Sequence, residues 1–313
     1  MQCFFFHRVL GSRRVDDFTD LEDPTCRDFE SLVRRLARKH RIVSTAELLD
    51  LQRSRRRPGP DWVHLSFDDG FASTLRAGEI CARLGVPLTV FVTSRVLDGF
   101  VPWYVRCMAA LSGARRSVRW QGRGFDLRRI GEARALAAGI KESVYSSGGD
   151  PSHRTEAILS ELGLPIDGAI PDKLRFLTRA ELRQLAGLGV EIGSHGVTHA
   201  SFTASDDASL CDELTGSREA LTELLGAPPT AVSYPDGRHD ARVEEASVRA
   251  GYRIGFAVDG PHEPWEPLAI PRRCLARNVE FVGRPLALGR AFGTAGAVKV
   301  GLHWLASRVG AAR

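Results

Sequence analysis

Apolar and polar positions along this chain follow two periods, one helical and one extended, which replace each other in a regular order. Residues 24–40 put Phe29, Leu32, Val33, Leu36 and Ala37 on one face at the helical period, which predicts an amphipathic helix. Ser44 followed by Glu47 has the spacing of a capping box and predicts a short helix over 45–51. The apolar run WVHLSF (62–67) reads as a buried strand, followed by a helix to about Leu84 and a strand over 87–93. Thr178 with Glu181 opens another capped helix through Leu188, and the run from Val190 predicts the strand behind it. Residues 206–225 form the clearest helical pattern, with Leu210, Leu214, Leu221, Leu224 and Leu225 on one stripe and Gly226 as the stop. A strand over 231–234, a turn at 235–237, a helix to Gly251 and strands over 254–258 and 268–274 complete the series. With the opening FFFHRV (4–9) this makes about seven strands alternating with helices, an order that implies a mainly parallel sheet or barrel. The pattern fits a closed barrel and an open doubly wound sheet equally well.

The alternation breaks over about 99–175. Two Gly-rich stretches, QGRGF and SSGGD, flank a short helical segment among sparse apolar residues, so this part is expected to be an insertion on the rim. Trp103 and Tyr104 at its start offer aromatic faces on which a sugar ring can stack, and buried anchoring of the insertion accounts for them equally well. RSRRRPGPD (53–61) reads as a solvated connection.

Composition changes this picture little. A chain of 313 residues, 43% hydrophobic and 26% charged, suits one large domain over 1–280 with a C-terminal amphipathic tail over 281–313. The net charge of +5 is spread through arginines without a basic-aromatic module, so no nucleic-acid partner is expected. The apolar run in MQCFFFHRVLGSRR is short and has no basic region before it, which favours a strand over an export signal and a cytoplasmic protein. No stretch approaches the ~20 apolar residues of a spanning helix. The tail, with Trp304 among Arg290, Lys299 and Arg308, suits packing on the barrel or peripheral contact with an anionic membrane. The six cysteines have no metal-ligand spacing and are expected to be free thiols.

Candidate chemistry sits where apolar runs end. Asp68 and Asp69 close the run of 62–67, and Gly70 lets the chain turn. If the strand continues, the two carboxylates point in opposite directions and can take separate roles, although the tripeptide alone also fits a plain turn. The second run, VEIGSHGVTH (190–199), ends in His195 and His199, an i, i+4 pair that a helical turn or compact loop can present to one metal ion. With one carboxylate they would make a two-histidine site with open positions.

SFDDG followed by SHGVTH resembles the first two motifs of the polysaccharide deacetylase family, carbohydrate esterase family four. FFFHRV, VSTAELL, LGVPLTVFVT, LTRAELRQLAGLGVEIGSH, the YPDG turn and the late IPRRC resemble its members in the same order, over about residues 3–278. The resemblance implies a distorted (β/α)7 barrel and a metal-dependent N-deacetylase acting on an N-acetylglucosamine-type sugar or glycoconjugate. It makes Asp68 the base and Asp69, His195 and His199 the ligands of a divalent metal, zinc or else cobalt, nickel or iron. It also makes the backbone N–H of Asp236 an oxyanion donor, with Tyr234 beside it at the substrate. His7 matches the acid of circularly permuted members, whose histidine lies on the first strand, and is preferred to His303. Two positions depart from the family pattern. Ser233 stands where an arginine is common, so Arg272 or Arg273 must orient the base, and Asp236 stands where an aromatic residue is usual. Asp236 then either contacts a substrate hydroxyl or amine or caps the following helix. Hydrolysis of a non-sugar amide or ester, and a catalytically silent glycan-binding barrel, are the alternatives.

Overall fold

The structure is a computed structural model that describes residues 1–11, 17–20, 23–146, 150–258 and 265–275. Strand β1 (Gln2–Phe6) leads to α1 (Cys26–Lys39), β2 (Arg41–Val43), α2 (Thr45–Arg53), β3 (Trp62–Phe67), α3 (Thr74–Leu84) and β4 (Thr89–Val92). Then come α4 (Trp103–Gly113), β5 (Ser117–Trp120), β6 (Arg123–Asp126), α5 (Ile130–Ser146) and α6 (Pro151–Glu161). The chain continues through α7 (Arg179–Gly187), β7 (Glu191–Ser194), α8 (Asp207–Leu225), β8 (Ala231–Ser233), α9 (Ala241–Ala250), β9 (Ile254–Val258) and β10 (Ile270–Cys274). Both capping boxes form as their spacing predicts, Ser44 with Glu47 and Thr178 with Glu181.

Eight of these strands are parallel neighbours in the order β1-β10-β9-β8-β7-β4-β3-β2. β1 also pairs with β3, Phe6 opposite Phe67, which closes seven of them into a (β/α)7 barrel. The three-residue β2, paired with the start of β3, is too short to have shown in the sequence pattern. Because the side-chain period of a strand is two, every second residue faces the barrel interior. On β3 the inward set is His64 and Ser66, while Phe67 packs against Phe6 and Phe29 on the helix side, at 5.2 and 5.3 Å between ring centres.

The region 99–175 is more ordered than its composition suggested. It contains α4, the antiparallel β5–β6 hairpin, α5 and α6, with a hydrophobic core of its own that includes Trp103, Leu111, Trp120, Leu136, Ile140 and Leu159. α5 and α6 each turn one stripe to this core, while the largely apolar α4 puts Cys107 and Leu111 into it and Val105 and Ala109 into a second cluster with Phe71 and Phe176. No disulfide joins cysteines among the described residues, and no helix among them is long and apolar enough to cross a membrane. The tail of 281–313, with His303, lies outside the described residues.

Candidate active site

Parallel strands bring their C-terminal ends to one mouth, and the residues just past β1, β3, β7 and β8 meet there. Asp68 continues the inward parity of His64 and Ser66. Asp69 would point outward if the strand ran on; instead its φ of 72° turns the chain and returns its side chain to the mouth. The different directions of the two carboxylates therefore come from a break in the strand and not from its continuation. Gly70 follows with φ 85°, where an added Cβ would lie 3.1 Å from Val92, so both backbone freedom and space call for glycine.

Asp68 is held from the far side of the barrel. Arg272, fully buried on β10, donates Nη1 to Oδ1 and Nη2 to Oδ2 of Asp68, each at 2.7 Å. Its remaining donors go to Ser66 Oγ at 2.9 Å, Ser233 Oγ at 2.6 Å and the Ala257 carbonyl at 3.5 Å, so all five N–H groups are used. The guanidinium lies 4.7 Å from the centre of the Phe5 ring and 5.4 Å from that of Phe91. Burial pushes the Asp68 carboxyl up, but Arg272 beside it, aided by the His195 imidazole, holds it below the usual carboxylate range. Strand parity chooses between the two arginines of IPRRC, since Arg273 faces solvent. Ser233, short where an arginine is common, donates to Asp68 Oδ2 at 3.3 Å and leaves room for the incoming Arg272.

Asp69, His195 and His199 form one buried cluster whose potential ligand atoms all lie within 4.8 Å of one another. His195 Nε2 is 3.4 Å and His199 Nε2 3.5 Å from Asp69 Oδ1. His195 Nδ1 donates to the Ser233 carbonyl at 2.7 Å, which fixes the tautomer and aims Nε2 at Asp69. Burial opposes ionisation of Asp69, yet the facing His195, His7 and His199 keep it well below its ordinary value. Asp69 Oδ1 and the Tyr104 hydroxyl are buried without a hydrogen-bond partner, and the Tyr104 ring centre is 4.8 Å from that of His199. A buried carboxylate oxygen left open beside two imidazole nitrogens fits a divalent cation.

The histidines sit on a loop, not a helical turn, and α8 shapes that loop. Buried Glu213 accepts from the backbone N–H of Val197 at 2.7 Å and of Thr198 at 3.0 Å, and from the Thr198 hydroxyl. His199 beyond them is left-handed, with φ 65°. Asp236 on the turn after β8, φ 56°, is left-handed as well. Three non-glycine residues at one mouth in a conformation costing roughly 1–3 kcal/mol each mark a site whose backbone is held by its surroundings.

His7 follows Phe6, and because Asp68 N–H donates to the Phe6 carbonyl at 2.9 Å, residue 7 runs alongside residue 68. Its imidazole meets the Phe5 ring edge-on, 5.5 Å between centres. Asp236 does not cap the next helix; Asp240 does, accepting from Val243 N–H at 2.9 Å. The Asp236 carboxylate is taken up by the insertion, with Lys141 Nζ at 2.6 Å from Oδ1 and the Tyr145 hydroxyl on Oδ2. Burial pushes this carboxyl up, Lys141 and His199 outweigh it, and its pKa falls to about 2.

Two expected substrate contacts are corrected. Tyr234 is fully buried, donates to the Leu268 carbonyl at 2.8 Å and stacks on His239, because it stands one residue past the inward-facing Ser233 and so turns into the wall with Val232. Trp103 is a core residue of the insertion, edge-on to Tyr104 and Tyr145. Its neighbour Tyr104 is the one that reaches the mouth. Sequence reasoning missed Glu213, Lys141 and Tyr145; for Glu213 there was a signal, a carboxylate inside the apolar stripe of α8 between Leu210 and Leu214.

Fold and site together define a (β/α)7 barrel with a one-carboxylate, two-histidine centre beside an arginine-clamped aspartate. Residues 146–255, which include both histidines, match the family model for polysaccharide deacetylase. A protein of Bacillus subtilis named as a polysaccharide deacetylase, YxkH, is 24% identical over 83 residues; the match spans 26% of this chain and 30% of that protein. Among solved structures, the deacetylase PplD of Streptococcus pyogenes superposes with a TM-score of 0.58 at 13% identity, over 88% of this chain and 93% of that one. A de-N-acetylase from Aggregatibacter actinomycetemcomitans gives 0.57 at 14% identity, over 93% and 98%. At these identities the solved structures speak for the fold.

Proposed function

We propose that the protein is a metal-dependent N-deacetylase that hydrolyses the acetamide of an N-acetylated amino sugar or glycoconjugate to acetate and a free amine. The observation that carries this reading is the juxtaposition, at one barrel mouth, of the Asp69–His195–His199 cluster with the Arg272-clamped Asp68. The match of residues 146–255 to the polysaccharide deacetylase family model supports the sugar-type substrate.

Arg272 keeps Asp68 ionised and fixes the plane of its carboxylate, so one oxygen edge faces the mouth as an oriented base. The same clamp weakens that base, so the attacking water must be acidified. A divalent ion on Asp69, His195 and His199 would supply that acidification and polarise the acetamide carbonyl. Asp68 takes the proton as the water oxygen bonds to the carbonyl carbon. The backbone N–H of Asp236 faces the developing oxyanion, and His7, running alongside Asp68, donates the proton that lets the C–N bond break.

The test is acetate release from N-acetylglucosamine as free sugar, oligomer, nucleotide sugar and glycolipid, with zinc and with cobalt. Release that chelation abolishes and metal restores, and that Asp68→Asn lowers by about 10³-fold or more, is the expected result. Full binding of one metal with no release from any of the four would sink the reading.

A further inference from the structure

The insertion is not required to close the barrel, yet two of its side chains end on the catalytic turn. Lys141 and Tyr145 are one helical turn apart on α5 and so present to one side. The next face of the same helix, Leu136, Ile140 and Val144, is buried in the core of the insertion, which makes α5 a rigid support. Between them the two residues engage both carboxylate oxygens of Asp236. The Tyr145 ring is itself fixed, edge-on to Trp103 at 5.5 Å and with the Arg238 guanidinium 5.0 Å from its centre. On its other side the turn is pressed against β9, where a Cβ at Gly237 would lie 2.4 Å from the backbone nitrogen of Val258.

We propose that Lys141 and Tyr145 are positioning residues: by gripping the Asp236 carboxylate they hold this residue in its left-handed conformation and so fix the backbone N–H that meets the oxyanion. The proposal rests on the deacetylase reading and extends it to the insertion. The left-handed region costs any residue with a Cβ some free energy, Asp less than most, and the two bonds from α5 hold Asp236 there. The insertion thereby becomes part of the catalytic apparatus, and the reaction depends on a segment that the barrel strands do not need for their pairing.

The decisive experiment compares Lys141→Met in the wild-type protein and in an Asp236→Gly background. Glycine adopts the left-handed backbone without help, so in that background the lysine has nothing left to grip. In the wild type, Lys141→Met is expected to lower kcat about 10-fold with KM and zinc stoichiometry unchanged. In the Asp236→Gly background it should change kcat less than about two-fold. An equal loss in both backgrounds, or a rise in KM, would mean that the lysine meets the substrate itself and would overturn the proposal. A second readout needs no turnover: amide hydrogen exchange over 234–238 should speed up about 10-fold in Lys141→Met and in Tyr145→Phe, with the melting temperature unchanged. Unaltered exchange would overturn the clamp. If the wild-type protein releases no acetate but exchange accelerates as expected, the clamp stands and the deacetylase reading falls. If all variants release acetate at the wild-type rate, the reverse holds.

Discussion

Asp68 and Asp69 are neighbours in sequence and equally buried, but they sit in opposite kinds of surroundings. Around Asp68 every polar atom has its partner, since Arg272 spends all five donors and Ser66 and Ser233 complete the network. Around Asp69 two imidazoles approach to 3.4 and 3.5 Å, and one carboxylate oxygen remains open. A satisfied buried network contributes to the folded state and resists change. An unsatisfied one costs stability until a ligand completes it, which is how a binding site differs from a structural pair. Placed side by side, the first holds a group in a fixed orientation for chemistry and the second keeps a position open.

The contrast can be broken from either side. The largest effect is expected for Arg272→Met, which leaves Asp68 buried without its guanidinium partner: a loss of about 3–5 kcal/mol in urea unfolding, beyond any loss of activity. Asp69→Asn is expected to cost the metal-free protein less, about 1–2 kcal/mol, because the carboxylate it removes faces His195 and His199 only at 3.4 and 3.5 Å and one of its oxygens has no hydrogen-bond partner. What that variant loses is stabilisation by added zinc, about 2.7 kcal/mol for the wild type at a hundredfold excess over Kd. An Asp69→Asn protein that zinc still stabilises fully would contradict the assignment of the cluster.

A smaller effect sharpens the comparison. Glu213 belongs to the satisfied kind of network but supports the open one, since it holds the loop that carries both histidines. Glu213→Gln is expected to cost about 1–2 kcal/mol in unfolding. It should also weaken zinc about tenfold in a competition titration, since the ligand loop loses its anchor. The smallest effect lies outside the mouth and serves as a control. Arg175 and the Thr178 cap hold the Glu181 carboxyl at about 2, below its ordinary 4.5. A lowered carboxylate pKa stabilises the fold above about 4.5, and this contribution fades as pH falls from there to about 2. The urea midpoints of the wild type and Glu181→Gln should therefore differ at neutral pH and converge on acidification.

Much of this could be read in the chain. The periods announced the alternating strands and helices, the two capping boxes formed where Ser44–Glu47 and Thr178–Glu181 stand, and the ends of two apolar runs marked the aspartates and histidines. The insertion was harder. Its helices α5 and α6 were obscured because their apolar residues face a small private core and leave much of each helix polar. Tyr234 and Trp103 carry the right chemistry for a sugar site, but local sequence does not say which side of the wall an aromatic ring takes, and both rings are buried.

By itself, then, the sequence determined the element types and the residue types at the strand ends, because hydrophobic period, caps and turn chemistry act over a few residues. Only the tertiary structure decided the partnerships. Whether Arg272 or Arg273 faces the barrel depends on the parity of β10 once it has paired with β9 and β1. Whether Asp69 returns to the mouth depends on a left-handed turn that Gly70 permits and the packed surroundings hold. That Lys141 and Tyr145 reach Asp236, 95 and 91 residues away, depends on where a separately packed insertion settles on the rim. Contacts of that span are set by the closure of the whole barrel, and no local pattern records them.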